Sequence, residues 1–341
     1  MGKGIAIAGN ILVDKIKMID VYPEKGMLCN IRSQKLAVGG CVPNTGISLA
    51  KLSSDIPVFA IGRMGSDEEG DFLIRALSEN DIDCSGILRS GEAATSYTDV
   101  MTEISTGQRT FFHCRGTNAL FSPDDIRFEE LSCGIIHIGY ALLLDRFDEE
   151  NEEFGNEFAR ALHMAKQKGI ITSMDVVSEQ SDRFRKVVSC CIKYSDYITL
   201  NEIEAQNVSG VALRDFGGNI IEQNLPKACE WFMEHGVGRQ VCVHFPEGSA
   251  AMNCKGEFRQ LPSLNLPKGY IKGTVGAGDS FCAGILFSAY NGLSLKESLA
   301  AATCAAACNL SAEDSISGIR CFEEAMRLQK EYGYRESIKE I

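Results

Sequence analysis

The sequence predicts an α/β protein with an open, mostly parallel β-sheet, helices on both faces of that sheet, and a small β-sheet lid. Short β-branched runs recur along the 341 residues, and amphipathic helical stretches separate most of them. Strands that alternate with helices of this length are typical of βαβ units, which build a parallel sheet covered on both faces. Two stretches that follow neither pattern predict the lid.

The elements of the main sheet follow one another along the chain. The predicted strands are Ile5–Ile11, Val58–Ile61, Ile135–Ile138, Ile170–Met174, Tyr197–Leu200 and Val241–Phe245. The predicted helices between them are Asn44–Leu52, Gly70–Glu79, Phe154–Gln167, Phe184–Lys193 and Pro226–His235. Two further predicted helices, Asp279–Tyr290 and Leu295–Ala307, are rich in alanine, which suits close helix packing.

The predicted lid consists of Val13–Leu36 and Thr95–Cys114, which lack both a helical period and a continuous apolar run. They contain segments in which polar and apolar residues alternate, with a turn at 105–107, and these indicate antiparallel strands. A small sheet over an open α/β domain is a plausible lid. The predicted domain division is a core of residues 1–12, 37–94 and 115–341, and a lid of residues 13–36 and 95–114.

Composition excludes several classes of partner. The net charge is −12 at pH 7 and no basic run stands out, so nucleic acid is not expected to bind, because that binding needs clustered cations. No stretch reaches the roughly 20 mainly apolar residues of a membrane span, and no signal-peptide pattern is visible. The fourteen cysteines include no Cys-x-x-Cys pair, so we expect reduced thiols in a cytoplasmic protein without a membrane partner.

The strongest local motif is the segment 273–281, Gly-Thr-Val-Gly-Ala-Gly-Asp-Ser-Phe, which opens an alanine-rich helix. Its glycines leave backbone amides unshielded at a helix N-terminus, where they form an anion hole. Asp279 lies at the mouth of that hole, in position to accept a proton from a hydroxyl that attacks phosphorus. The alternative interpretation is a helix cap that follows an ordinary turn.

Three other motifs lie beside predicted elements, the first before a helix and the other two after strands. Gly39 and Gly40 allow close approach of a ligand, and Asn44 offers both a donor and an acceptor to a hydroxyl. Asn201 and Glu204, directly after a strand, face the crevice of an open sheet and are able to hold the water shell of Mg²⁺. A helix cap is the alternative for each of these two motifs. The third motif is the polar turn 62–70; in addition, Asp175 ends a predicted strand and faces the same crevice.

The order of these motifs resembles that of the ribokinase-like (PfkB) carbohydrate kinases. GGxxxN, GxxGxDxxG, NxxE and TxGAGDxF occur in the order typical of that family, and the resemblance extends from Gly9 to Ala307. It implies ATP as the phosphoryl donor, Mg²⁺ as the cofactor and a sugar hydroxyl as the acceptor. It also implies that Asp279 is the general base and that the backbone amides of Gly276, Ala277 and Gly278 bind the transferred phosphoryl group.

The resemblance implies roles for further residues and for a partner. The implied substrate-binding residues are Asp14, Gly39, Gly40, Asn44 and Asn118. The implied nucleotide-binding residues are Asn201, Glu204, His244, Gly248 and Thr274, with Glu204 near Mg²⁺ through water. The lid of many family members pairs with that of a second copy, so the resemblance also implies a homodimer through the lid.

Three departures from the family pattern affect the cofactors. Gly273 stands where members often have an aspartate that helps to hold a monovalent cation, and the usual basic turn after the alanine-rich helix reads Ser311–Ser315. Both put a potassium requirement in doubt. The nucleotide loop 244–248 contains Pro246, which fixes the backbone and removes a donor, so nucleotide contacts there are expected to differ.

Two other functions stay open at this point. A nucleoside kinase of the same fold uses the same base with a larger aromatic pocket, for which Tyr22, Tyr97, Phe111 and Phe112 are the candidates. A non-catalytic sensor of sugar or nucleotide is disfavoured by the intact Asp279 segment. The sequence does not identify the sugar among pentoses, hexoses, sugar acids and sugar phosphates, because one hydroxyl decides such selectivity.

Overall fold

The computed structural model describes residues 4–178, 183–336 and 338. Its strands are β1 (Ile5–Gly9), β2 (Leu12–Ile19), β3 (Ile31–Gly39), β4 (Val58–Gly65), β5 (Asp83–Ser90), β6 (Tyr97–Glu103), β7 (Arg109–Cys114), β8 (Ile135–Ala141), β9 (Glu150–Asn151), β10 (Gly155–Asn156), β11 (Ile171–Val176), β12 (Tyr197–Asn201), β13 (Gln240–Phe245), β14 (Gly248–Asn253) and β15 (Phe258–Pro262). Its helices are α1 (Cys41–Leu52), α2 (Glu68–Ser78), α3 (Asp145–Asp148), α4 (Glu157–Gln167), α5 (Phe184–Ile192), α6 (Glu202–Ser209), α7 (Leu225–Glu234), α8 (Ala277–Asn291), α9 (Leu295–Leu310) and α10 (Phe322–Tyr332).

Among the described residues, nine strands form one large sheet in the order β15-β14-β13-β12-β11-β8-β1-β4-β5. The run from β13 to β5 is parallel, whereas β14 and β15 are antiparallel additions at one edge. This architecture confirms the predicted α/β class with a mostly parallel sheet. The parallel strands end at one edge, where Asn201 on β12 pairs with His244 on β13.

Helices cover both faces of this sheet because its strands are apolar on both sides. On β1, Ile5 and Ile7 pack into one core while Ala6 and Ala8 pack into the other, as the two-residue period of a strand requires. Helices α1, α2, α8, α9 and α10 bury their apolar faces in the first core. Helices α3 to α7 do so in the second core.

The second sheet has four strands in the order β3-β2-β6-β7, drawn from the two stretches that predict the lid. Strands β2 and β6 are parallel, and the two outer pairs are antiparallel. The sheet begins at Leu12 and includes residues as far as Gly39, so it extends slightly beyond the predicted stretch 13–36. An ion pair of 3.3 Å between Lys35 on β3 and Asp314 joins it to the turn after α9.

The alanine-rich pair α8 and α9 packs through small residues. Gly284 on α8 lies so close to α9 that a Cβ there would be 2.5 Å from the Cα of Ala302. Most of the cysteines are buried and all are free thiols, in agreement with the expected use of thiols as core residues. Within 4–178, 183–336 and 338, none of the helices combines the length and the apolar character of a bilayer-spanning segment.

Candidate active site

Asp279 is the third residue of α8, and the residue that caps this helix is Gly276. Gly276 has a positive φ of 78°, and a Cβ on it would lie 2.5 Å from the Cβ of Ser315, so this position needs glycine. The first amides of a helix have no intrahelical acceptor and carry the positive end of the helix dipole. The free amides of this turn therefore lie beside Asp279, and Gly276, which has no side chain, makes no side-chain cap hydrogen bond to them.

Three side chains donate hydrogen bonds to the buried Asp279 carboxylate. Tyr140 Oη donates to Oδ1 at 2.7 Å, Asn44 Nδ2 donates to Oδ2 at 3.0 Å, and Thr45 Oγ1 donates to Oδ1 at 3.3 Å. Burial raises the pKa of Asp279 to about 6, and the charge of Asp175 acts in the same direction, while the bonds from Tyr140 and Asn44 lower it. A carboxylate with this pKa is mostly ionised at neutral pH and is a competent proton acceptor.

Tyr140→Phe is expected to move the acidic limb of the pH profile of kcat/KM to higher pH. With Asp279 as the expected general base, activity falls as the pH drops through the Asp279 pKa of about 6, because only the ionised carboxylate accepts a proton. Loss of the Tyr140 donor destabilises the ionised form, and a hydrogen bond to a charged group corresponds to a shift of about one pH unit. The measurement is kcat/KM between pH 5 and 9, and Tyr290→Phe, at the other end of α8, is the matched control. A limb at the same pH in both variants would show that the Tyr140 bond does not tune the base.

Two large cavities meet at the start of α8. One, of about 610 Å³, is lined mainly by apolar side chains, and the other, of about 480 Å³, contains Asp279. The residues that line both are Asn201, His244, Thr274 and Gly278. The turn before α8 therefore lies between the mainly apolar cavity and the cavity that holds the Asp279 carboxylate.

Asn201 and Glu204 bind each other at the start of α6. The amide of Glu204 donates to Asn201 Oδ1 and the amide of Asn201 donates to Glu204 Oε2, each at 2.9 Å, which is a capping box. The cap interpretation is therefore correct for this pair, although Glu204 also lines the cavity of Asp279. Ser178 Oγ donates to Glu204 at 2.7 Å, and burial raises the pKa of Glu204 to about 8. A nearby cation would favour the ionised form of Glu204 again, and an oxygen-only donor set of this kind then fits a hard cation such as Mg²⁺.

Asp14 on β2 faces the loop before α1. A Cβ on Gly39 would lie 2.7 Å from Asp14 Oδ2, so glycine lets the carboxylate approach the backbone. Burial raises the pKa of Asp14 to about 7, the charge of Asp279 adds to this, and Arg109 on β7 opposes it. Asp14, Arg109 and Phe111 line one small cavity between the four-stranded sheet and the turns before α8 and after α9.

The remaining predicted site residues differ in how close they lie to the cavities and to Asp279. Asn44 lies inside α1, whose cap is Gly40, so the cap interpretation of Asn44 is wrong and its side chain reaches Asp279 instead. Asn118 is fully buried and its Oδ1 accepts a 3.1 Å bond from the amide of Ile11; it is not among the residues that line the cavities described above. Gly248 borders the larger cavity, together with Pro246.

Sequence reasoning missed four residues near the two carboxylates: Tyr140 and Thr45 donate to Asp279, Ser315 donates to Asn44, and Arg109 lines a cavity with Asp14. Tyr140 lies near the carboxyl end of the parallel strand β8, where ligand-facing side chains collect, and that position is a usable signal. Ser315 donates to Asn44 Oδ1 at 2.7 Å from a distant turn, which nothing in the local sequence indicates.

Residues 8–320 match the family described as pfkB family carbohydrate kinase. A ribokinase from Arabidopsis thaliana is 23% identical over 329 residues, which cover 96% of this chain and 81% of that protein.

Solved structures share the fold at low sequence identity. The structure of Arabidopsis thaliana ribokinase complexed with ribose and ATP gives a TM-score of 0.77 at 22% identity, covering 97% of this chain and 99% of that one. A nucleoside kinase from Methanocaldococcus jannaschii gives a TM-score of 0.73 at 18% identity, covering 97% and 99%. The fold is therefore common to kinases of different acceptors.

Proposed function

The chain belongs to the pfkB family of carbohydrate kinases, and on that premise we propose that it transfers the γ-phosphoryl group of ATP to a sugar hydroxyl with Asp279 as the general base. The observation that carries this proposal is the buried Asp279 carboxylate in the first turn of α8, at the meeting of two large cavities. A proton acceptor and an anion-binding turn side by side are what phosphoryl transfer to an alcohol requires.

The chemical step follows from these positions. The acceptor hydroxyl gives its proton to Asp279 as its oxygen forms a bond to the γ-phosphorus of ATP. The bond between that phosphorus and the bridging oxygen of the β-phosphate breaks, and ADP leaves with the electron pair. The amides of Gly276, Ala277 and Gly278 bind the oxygens of the phosphoryl group, on which negative charge is spread in the transition state. Asn44 and Tyr140 hold the carboxylate in position for the transfer.

The larger, apolar cavity is the proposed binding site of ATP, the phosphoryl donor. The base and ribose of ATP fit the apolar cavity of about 610 Å³, with the phosphates directed towards Gly278 and Thr274. Burial lowers the pKa of His244 to about 4, so its ring is neutral at physiological pH and lies against Gly278 without added charge. Asn201 and Glu204 would hold Mg²⁺ through water, and the ion would neutralise phosphate charge.

The surroundings of Gly273 do not favour a monovalent-cation site. A Cβ on Gly273 would lie 2.8 Å from the carbonyl oxygen of Glu313 and 2.9 Å from that of Ala312. The turn 311–315 therefore closes on Gly273, and an aspartate does not fit there without a shift of that turn. We propose that turnover does not depend on potassium.

A sugar is the acceptor that the pocket favours. Asp14, Arg109 and the Asp279 carboxylate are polar groups suited to several hydroxyls. Of the four aromatic candidates for a nucleoside site, Phe111 lines both the small cavity and the cavity of Asp279, whereas Tyr22, Tyr97 and Phe112 line neither of them. A nucleoside remains the second candidate, because a nucleoside kinase has the same fold.

The experiment that tests this function is ATP consumption with Mg²⁺ across pentoses, hexoses, sugar acids, sugar phosphates and nucleosides. A single sugar that supports turnover is the expected result and defines the substrate class. Turnover with a nucleoside alone would replace the sugar by the second candidate. ATP binding without turnover across the panel would contradict the kinase proposal and favour a sensor.

We also propose a homodimer formed through the four-stranded sheet, in the cytoplasm. That sheet and its loops expose large apolar side chains: Val21, Met27, Leu28, Ile31, Leu36, Ile104, Phe111 and Phe112. Exposed apolar surface of this extent marks an interaction site. Sedimentation velocity is expected to give a dimer for the parent protein and a monomer for Leu28→Lys combined with Ile31→Lys. The control is Ile203→Lys, on an exposed position of α6, and a monomeric parent would overturn the proposal.

A further inference from the structure

A second cluster of reactive side chains lies beneath the proposed base and has no part in the step above. It consists of Cys41, the first residue of α1, His137 on β8 and Asp175 on β11. All three are buried, and one ligand atom from each, a thiol sulfur, a ring nitrogen and a carboxylate oxygen, lies within 4.8 Å of the others. Three elements distant in sequence thus bring together three groups of the kinds that bind metal ions.

The hydrogen bonds of His137 favour coordination through one nitrogen. Its Nδ1 lies 2.9 Å from Ser173 Oγ, which leaves Nε2 directed towards Asp175 Oδ2 at 3.6 Å. Ligands of tetrahedral zinc are bound at about 2.0–2.3 Å, which places neighbouring ligand atoms about 3.3–3.8 Å apart. A partner on the second ring nitrogen is also the usual support of a metal-binding histidine. Cys282 Sγ, 3.8 Å from either ring nitrogen, lies within reach as a fourth ligand.

Two further observations point to a ligand between these groups. Asp175 is 7% exposed, yet its Oδ1 has no hydrogen-bond partner within the described ranges of the chain. A buried polar atom without a partner is costly and rare. In addition, a Cβ on Gly139 would lie 2.2 Å from that same Oδ1 and 2.7 Å from Cys41 Sγ. Only glycine at this position keeps the space between the two donor atoms open.

We propose that Cys41, His137 and Asp175 bind one thiolate-seeking divalent cation, Zn²⁺ being the representative ion, with Cys282 as the fourth ligand. Sulfur and imidazole donors select Zn²⁺ over Mg²⁺, which prefers oxygen. Asp175 and Cys282 line the cavity of about 480 Å³, so an ion has a path from solvent. The sulfur–metal bond forms as each thiol releases its proton to solvent, and no electron is transferred. This site is separate from the oxygen donors Asn201 and Glu204.

The test uses the full chain with its two exposed cysteines replaced (Cys254→Ser and Cys321→Ser), because surface thiols also bind metal. Metal-free protein is titrated with Co²⁺, whose sulfur-to-cobalt absorption in the near ultraviolet reports thiolate coordination, and then with Zn²⁺ against a coloured indicator. We expect one ion per chain with sulfur-to-cobalt absorption, and displacement of Co²⁺ by Zn²⁺. Neither measurement needs kinase activity.

Substitutions of the proposed metal ligands test whether these residues bind the ion. Cys41→Ala and Asp175→Asn are each expected to weaken binding by about 100-fold or more, whereas Cys229→Ala, a buried thiol on α7, leaves it unchanged. Circular dichroism confirms that each variant is folded. The two ligand variants remove different donor groups, so each tests the site separately. Absence of the cobalt band in the parent, or an equal band in a folded Cys41→Ala variant, would overturn the proposal and leave the cluster a buried ion pair with neighbouring thiols.

Discussion

Asp279→Asn is expected to lower kcat by about 10²- to 10⁴-fold, the range that a general base contributes. Asparagine keeps the size of the side chain but cannot accept the proton of the acceptor hydroxyl. Its Oδ1 still accepts the bonds of Tyr140 and Thr45, and the Asn44 amide is able to turn because its neighbour, the Ser315 hydroxyl, both donates and accepts. Steady-state ATP consumption with the accepted sugar measures the loss, and calorimetry is expected to show sugar affinity close to that of the parent.

The thermal stability of Asp279→Asn shows whether a loss of activity comes from removal of the general base or from unfolding of the protein. Folding raises the pKa of Asp279 from 3.8 to about 6, so the unfolded chain ionises first and stability falls as the pH rises between these values. At pH 7 the asparagine variant is therefore expected to unfold at the same temperature as the parent or higher. Glu297→Gln is the matched control, because Glu297 is the third residue of α9 as Asp279 is of α8. Turnover of Asp279→Asn within a few-fold of the parent would contradict its assignment as the base.

Gly276→Ala is expected to reduce both turnover and stability. Alanine is strained at a φ of 78°, by about 1–2 kcal/mol, and its Cβ would lie 2.5 Å from the Cβ of Ser315. Relief of that contact moves the turn that carries the anion-binding amides, and removal of one such donor elsewhere costs about 10²- to 10³-fold in kcat. Thermal unfolding and kcat are the two measurements.

Gly292→Ala is the control that separates the effect of backbone strain from the effect of a disturbed active-site turn. Gly292 ends α8 with a φ of 66°, and no atom lies within 4 Å of a Cβ built there, so alanine suffers similar strain without a clash and far from the site. We expect a comparable small loss of stability with unchanged turnover. Equal kinetic losses in the two variants would show that the geometry of the Gly276 turn has no special role.

The main sheet follows from the sequence because its buried strands are continuous apolar runs, but several elements lack a clear sequence pattern, among them β5, β14 and α10. Strand β5 is a sheet edge and contains Asp83, Ser85 and Gly86, which have low strand propensity. Strand β14 is built of small residues and owes its conformation to pairing with β13 and β15. Helix α10 is charged over most of its surface, so its apolar stripe is narrow.

Site residues could be predicted from the sequence where they lie close together along the chain. They could not be predicted where they meet only through contacts between distant segments. The glycines before Asp279 and the capping box of Asn201 and Glu204 are visible as spacings along the chain. The start of α1 was placed too late, at Asn44, although Pro43 fits the first turn of a helix. The cluster of Cys41, His137 and Asp175 has no sequence spacing that indicates a metal, since its members come together only when α1, β8 and β11 pack.

The hydrogen bonds that hold Asp279 have a consequence for synthesis on the ribosome. Asn44 is 235 positions from Asp279 and 271 positions from Ser315, and it binds both. Domains emerge from the ribosome amino terminus first, and long-range contacts form only when the distant segment is available. Helix α1 is thus made early but cannot orient the carboxylate until the turn after α9 has been translated. A nascent chain that ends before Ser315 therefore lacks the hydrogen bond that orients Asn44 towards the Asp279 carboxylate.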